Sequence, residues 1–141
     1  MRHLEELPHT ADLGFRVRAR SLPGLFYWAG RGLLAAMFEG PLPPPHGHRI
    51  LRLSADDLET LLVRFLNELI YLALTRGEVP VGLAIRLLPG DRGCALEARL
   101  AWVPFSRVAD RFLGEVKSAT FHGLKIEKTD AGYQAQVVLD V

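Results

Sequence analysis

The sequence predicts an α+β fold, with two main helices packed against a largely antiparallel or mixed β-sheet. Two segments carry apolar residues at helical spacing, Leu25 to Met37 and Leu58 to Leu72. Others alternate apolar and polar residues with a period of two, most clearly Leu13 to Ala19 and Tyr133 to Asp140. Two clusters of turn residues, Pro89 to Gly93 and Thr129 to Gly132, separate strand-like runs and read as hairpins. Helices interleaved with such hairpins make layers of helix on sheet. With 141 residues the chain suffices for one domain with a real core and is short for two, so 1–141 reads as a single domain.

Leu4 to Pro8 opens as a short strand before a turn. Leu13, Phe15, Val17 and Ala19 then face one way, and Gly14, Arg16, Arg18 and Arg20 the other. Ser21 is placed to cap a helix, because its hydroxyl can accept an N–H of the first turn. Pro23 falls within that turn, where a missing N–H costs little. Leu25, Phe26, Ala29, Leu33, Ala36 and Met37 face a core, and Gly40-Pro41 ends the helix. Pro41 to His48 is a proline-stiffened loop whose His46 and His48 read as solvated rather than as metal ligands.

Arg49 to Leu53 is a short strand. The second helix opens at Ser54-Ala55-Asp56-Asp57, with Ser54 or Asp56 as its cap, and closes at Gly77. Apolar residues cover more than half its circumference, so it is expected to be buried on two sides. Asn67 and Glu68 interrupt them, and an acid in such surroundings is expected to satisfy a buried donor. Gly82 to Leu88 and Cys94 to Val103 flank the first hairpin turn. Ser106 to Phe112 is a short helical turn or loop, and Glu115 to Lys128 and Tyr133 to Asp140 form the last two strands.

Hydrophobic residues at 49% and charged residues at 23% mark a globular chain. A net charge of +1 restricts any nucleic-acid or membrane contact to a local patch. Cys94 is the only cysteine, which excludes an internal disulfide and a cysteine metal cluster. The N-terminus lacks the apolar run of a signal peptide, and Arg64, Asn67 and Glu68 break the longest apolar helix. A cytoplasmic location without membrane contact is expected. No phosphate loop, dinucleotide fingerprint or nucleophile elbow is present, and no Ser or Cys has an obvious activating partner.

The candidate functional residues are acids at the ends of elements. Asp12 begins a strand, Asp140 ends one, and Asp57 begins a helix. Carboxylates so placed can converge, and oxygen ligands on rigid elements suit Ca²⁺, Mg²⁺ or Mn²⁺. Each also has an ordinary role open to it: Asp12 in a turn, Asp57 as a capping acid, Asp140 in a solvated tail. Lys117 reads as a solvated strand charge and His122 as a packed histidine.

Six stretches together resemble the archease family, in that family's order. They are His9-Thr10-Ala11-Asp12, Asp57 to Val63, Phe65 to Tyr71, Glu115 to Thr120, His122-Gly123-Leu124 and Leu139-Asp140-Val141. The resemblance implies a small α+β protein that is not itself an enzyme. It implies a chaperone-like cofactor of the RNA ligase RtcB in tRNA splicing, promoting guanylylation of the ligase's histidine and multiple turnover. It further implies a divalent-metal site, mapped onto Asp12 and Asp140 with Asp57 as a further acid, and a required lysine at Lys117. His9 and Glu68 are candidate supporting residues. The chain departs from the family in its proline-rich loop and at Arg64, which bears on the partner-facing surface more than on the acids.

Three functional readings follow. The first is the metal-binding ligase cofactor, with an RtcB-type ligase as partner and tRNA touched at most indirectly. The second is an RNA-binding module that uses Arg16, Arg18 and Arg20, or in an older description of the family a modulator of tRNA methylation. Such a module would bind in a salt-dependent way. The third is a stand-alone metal-dependent hydrolase, which would turn over substrate without a partner.

Overall fold

The protein is described from a computed structural model covering residues 1–7, 13–90 and 92–141. Apolar alternation builds the first strands, β1 (Leu4–Leu7) and β2 (Leu13–Ala19), which pair antiparallel. Ser21 caps α1 (Leu22–Met37) as expected, its Oγ accepting the Gly24 N–H at 3.1 Å. The helix ends at Met37, where the chain turns extended and Phe38 bridges to Phe112. β3 is longer than the sequence suggests, Gly47–Ala55, and α2 spans Leu58–Leu74. β4 (Glu78–Gly90) and β5 (Gly93–Pro104) form the first hairpin. Two short 3₁₀ turns follow at Phe105–Arg107 and Ala109–Arg111.

The expected strand from Glu115 to Lys128 is two short ones, β6 (Ser118–Thr120) and β7 (Glu127–Thr129). Both pair with β8 (Gly132–Asp140). Residues 121–126 loop out between them, because they span a stretch that only residues 135–137 span on β8. The Leu124 N–H donates to the Phe121 carbonyl within that loop.

The strands form two antiparallel sheets rather than one. The larger runs β1-β2-β8-β6 with β7 also on β8, and the smaller runs β3-β5-β4. Both helices touch both sheets. This accounts for the breadth of the apolar surface of α2, on which Leu61, Leu62, Phe65, Leu66 and Leu69 are all buried. Each such side chain contributes about 1.5–3 kcal/mol by leaving water. Phe26 of α1 and Phe65 of α2 meet at the centre, ring centroids 6.2 Å apart. No polar or charged residue is buried among the described residues. Glu68 is therefore only half-buried, and no hydrogen bond from it is seen among the described residues. The expectation that it satisfies a buried donor is corrected.

Candidate functional site

β8 is the central strand of the larger sheet, and its C-terminal end gathers the residues of interest. Leu139 is fully buried and pairs with Leu13 of β2 on one side and Ala119 of β6 on the other. Asp140 follows, exposed, opposite Ser118. It is held in the ladder and not in a frayed tail. The Lys117 N–H donates to the Asp140 carbonyl at 2.8 Å, so these two residues are neighbours across the strands. Lys117 is exposed and precedes β6 by one residue.

Asp12 and His9 lie outside the described residues. Leu13, which follows Asp12 in the chain, is paired with Leu139, which precedes Asp140. Among the described residues no three His, Cys, Asp or Glu side chains cluster closely enough to hold a metal ion.

Asp57 is elsewhere. It is the true N-cap of α2, in place of Ser54 or Asp56, and its Oδ1 accepts the Thr60 N–H at 2.7 Å. That bond holds its carboxyl below the usual range. Ten residues on, Asn67 grips Ala119 of β6, so Asp57 sits about 15 Å along the helix from the strand that borders Asp140. The structure does not bring Asp57 beside Asp140. Asp57 instead lines an open cavity of about 570 Å³ with Arg64, Arg92 and Cys94. Burial, then the nearby Asp57, push the Cys94 thiol up, which disfavours a reactive thiolate there.

Glu68 follows Asn67 on α2 and is half-buried. Its charge adds to the field that raises the Arg49 guanidinium, after the main cause, a hydrogen bond to Glu78. His122 is exposed rather than packed, its backbone N–H donating to Thr120 Oγ1 at 3.3 Å. Arg16 and Arg18 lie 3.3 and 3.7 Å from Glu5, so the arginine stripe of β2 shares a carboxylate on its own sheet.

Asn67 is the residue that sequence reasoning undervalued. Its Oδ1 accepts the Ala119 N–H at 2.7 Å and its Nδ2 donates to the Ala119 carbonyl at 3.3 Å. One amide side chain thus replaces a neighbouring strand along the outer edge of β6. Glu59 does similar work lower down, accepting the Ile126 N–H at 3.0 Å. The available signal was a carboxamide on the apolar face of a helix, since an amide carries both a donor and an acceptor for a backbone edge.

Fold and site together define a class: a two-sheet α+β protein in which a polar group of residues sits at the end of the larger sheet's central strand. A family model described as Archease protein family (MTH1598/TM1083) matches residues 4–141. Relatives named protein archease include one from Thermococcus kodakarensis, 32% identical over 142 residues and covering 100% of both chains. Another, from Archaeoglobus fulgidus, is 32% identical over 135 residues and covers 96% of each. The solution structure of Methanobacterium thermoautotrophicum protein 1598 superposes with a TM-score of 0.84 at 25% identity, over 100% of both chains. A Thermotoga maritima crystal structure, described as an archease and possible chaperone, shares the fold. Its TM-score is 0.60 at 21% identity, over 100% of this chain and 98% of that one. The chain belongs to the archease family.

Proposed function

We propose that this protein is a cofactor of an RtcB-type RNA ligase and acts through the strand end that carries Asp140. The observation that carries the reading is the position of that residue. It is exposed, yet its backbone is fixed by pairing with β6 and by the Lys117 N–H. A carboxylate so held can be presented to a second protein without a large ordering cost. Membership of the archease family supports the reading, since the resemblance in the sequence implies such a ligase as partner.

The donor chemistry fits a hard divalent ion such as Ca²⁺, Mg²⁺ or Mn²⁺, since an exposed carboxylate is an oxygen ligand with room for water beside it. Asp140 would hold the ion with Asp12, which in the sequence precedes Leu13, the residue paired with Leu139. When bound, the ion would offset phosphate charge at the ligase's nucleotide site. Lys117, exposed on the neighbouring strand segment, would meet a phosphate or a carboxylate of the partner through its ammonium. We leave Asp57 out of this site, because it caps α2 ten residues before the Asn67 that reaches β6.

The test is transfer of labelled GMP from GTP to the ligase histidine, with and without this protein. Lys117→Ala should lose most of the stimulation while changing stability by less than about 0.5 kcal/mol. Asp140→Ala should also lose the thermal stabilisation conferred by Ca²⁺ or Mn²⁺, because ligand linkage vanishes with binding. A Lys117→Ala protein that stimulates as well as wild type removes the lysine from the mechanism. Unchanged metal stabilisation in Asp140→Ala removes the metal site.

A further inference from the structure

The smaller sheet turns one face to the helices and the other to solvent. On the outer face, Arg52 of β3 and Arg86 of β4 flank Glu97 of the central β5, at 3.3 and 3.8 Å. In the next row Arg99 of β5 lies between Ile50 and Ala84. Arg52, Arg86 and Arg99 are exposed, the first two with 72% and 69% of their side chains open to solvent. One carboxylate serves two guanidinium groups, and Arg99 has no acidic partner among the described residues. Gly82, Ala84, Ala95 and Ala101 on the same face are small, and His48, Ser54 and Leu88 complete it.

We propose that this outer face of β3-β5-β4 binds the phosphate backbone of duplex RNA without regard to base sequence. Exposed guanidinium groups in excess of carboxylates suit phosphate oxygens, which they grip in a bidentate way. A protein partner is a poorer fit, because protein interfaces seat aromatic and large apolar anchors at their centre beside any arginines. Among the described residues Ile50 and Leu88 are the only large apolar side chains exposed on the face. Among the described residues the imidazole of His48 is the one aromatic ring on it, and no Phe, Tyr or Trp lies there as a platform for successive unpaired bases, which disfavours single strands. A flat sheet cannot enter the major groove of B-form DNA, whereas the A-form duplex offers a wide, shallow minor groove bordered by phosphates. This surface is on the other sheet from Asp140, and the binding needs no ligase.

The full chain is titrated into a fluorescein-labelled RNA duplex of about 16 base pairs, the span of a shape-reading RNA domain, and followed by anisotropy. A face that neutralises three phosphates should lose about 40-fold in affinity between 50 and 200 mM salt. Replacing Arg52, Arg86 and Arg99 together by Ala should weaken binding at least tenfold at low salt and flatten the salt dependence. Glu97→Gln should tighten binding severalfold, a gain that a damaged fold would not produce. Replacing Arg16 and Arg18 by Ala should leave binding within twofold. The proposal is overturned if wild type fails to bind the duplex at 50 mM salt, if the triple variant binds as well, or if Glu97→Gln binds no tighter. Equal or tighter binding of a DNA duplex of the same sequence, or of polyglutamate, overturns the assignment to RNA. No measurement contains the ligase, so failure here leaves the cofactor reading standing, and the reverse holds.

Discussion

In the smaller sheet, β3, β4 and β5 run for 9, 13 and 12 residues, and pairing along β5 is broken only by a register shift between Pro80 and Gly82. In the larger sheet, β6 and β7 contribute 3 residues each, and side chains of α2 bond the backbone at Ala119 in β6 and at Ile126 just before β7. Long strands pair β5 on both sides along its length and present a broad face to solvent. Short strands leave backbone groups over, and the side chains recruited to meet them fix the strand ends. The difference explains why the smaller sheet offers a flat surface, while the larger offers a defined point at Asp140.

The two sheets share one device, and removing it tests how far the likeness goes. Each central strand begins at a glycine with positive φ, Gly93 at +156° in β5 and Gly132 at +141° in β8. A Cβ on Gly93 would lie 2.3 Å from the Ala55 carbonyl oxygen, and one on Gly132 would lie 2.3 Å from that of Ala19. Both carbonyls end strands that lead directly into a helix. Gly93→Ala and Gly132→Ala should each destabilise by about 2–5 kcal/mol, combining backbone strain with a clash that the backbone must move to relieve. Urea denaturation measures this. A large effect in one sheet alone would break the parallel.

The edge clamp provides the next largest effect. Asn67→Ala leaves the Ala119 N–H and carbonyl without partners and should cost about 1–3 kcal/mol. Amide exchange at Ala119 should speed up well before exchange in β5. Glu68→Ala, one residue along, should cost less than about 0.5 kcal/mol, because no bond of that half-buried side chain is seen among the described residues. Equal effects from the two substitutions would show that β6 does not need the amide.

The smallest effect separates the sheets by pH. β3 and β4 do not pair directly, but Arg49 grips Glu78 at 2.8 and 3.0 Å, its side chain 37% exposed and that of Glu78 13%. The hydrogen bond from Arg49 holds the Glu78 carboxyl below its usual 4.5. A depressed carboxylate stabilises the fold above its unfolded value, and that contribution fades as pH falls through the lower folded one. The small sheet should therefore lose stability below about pH 4.5, and Glu78→Gln should lose less between pH 7 and 3 than wild type. The Asn67 clamp has no group that titrates there. Matching pH slopes in Glu78→Gln and wild type would show that the ion pair contributes nothing measurable.

Much of this molecule is written in local pattern. The Ser21 cap, the two-sided burial of α2, both hairpins and the short turns after β5 follow from periodicity and from turn chemistry, which act over a few residues. The acids were legible as residues at element ends and the lysine as a solvated strand charge, and the backbones of Asp140 and Lys117 do lie together. Tertiary structure alone decided the rest. It divided the strands between two sheets, since period two tells which side chains share a face but not which strand lies alongside. It broke the strand after Lys117, because the mismatch between residues 121–126 and 135–137 exists only once β8 is paired. It gave Asp57 to the helix and set it far from Asp140. It also assembled Arg52, Arg86 and Arg99 from three strands into one face, because distance across a sheet has no counterpart in distance along the chain.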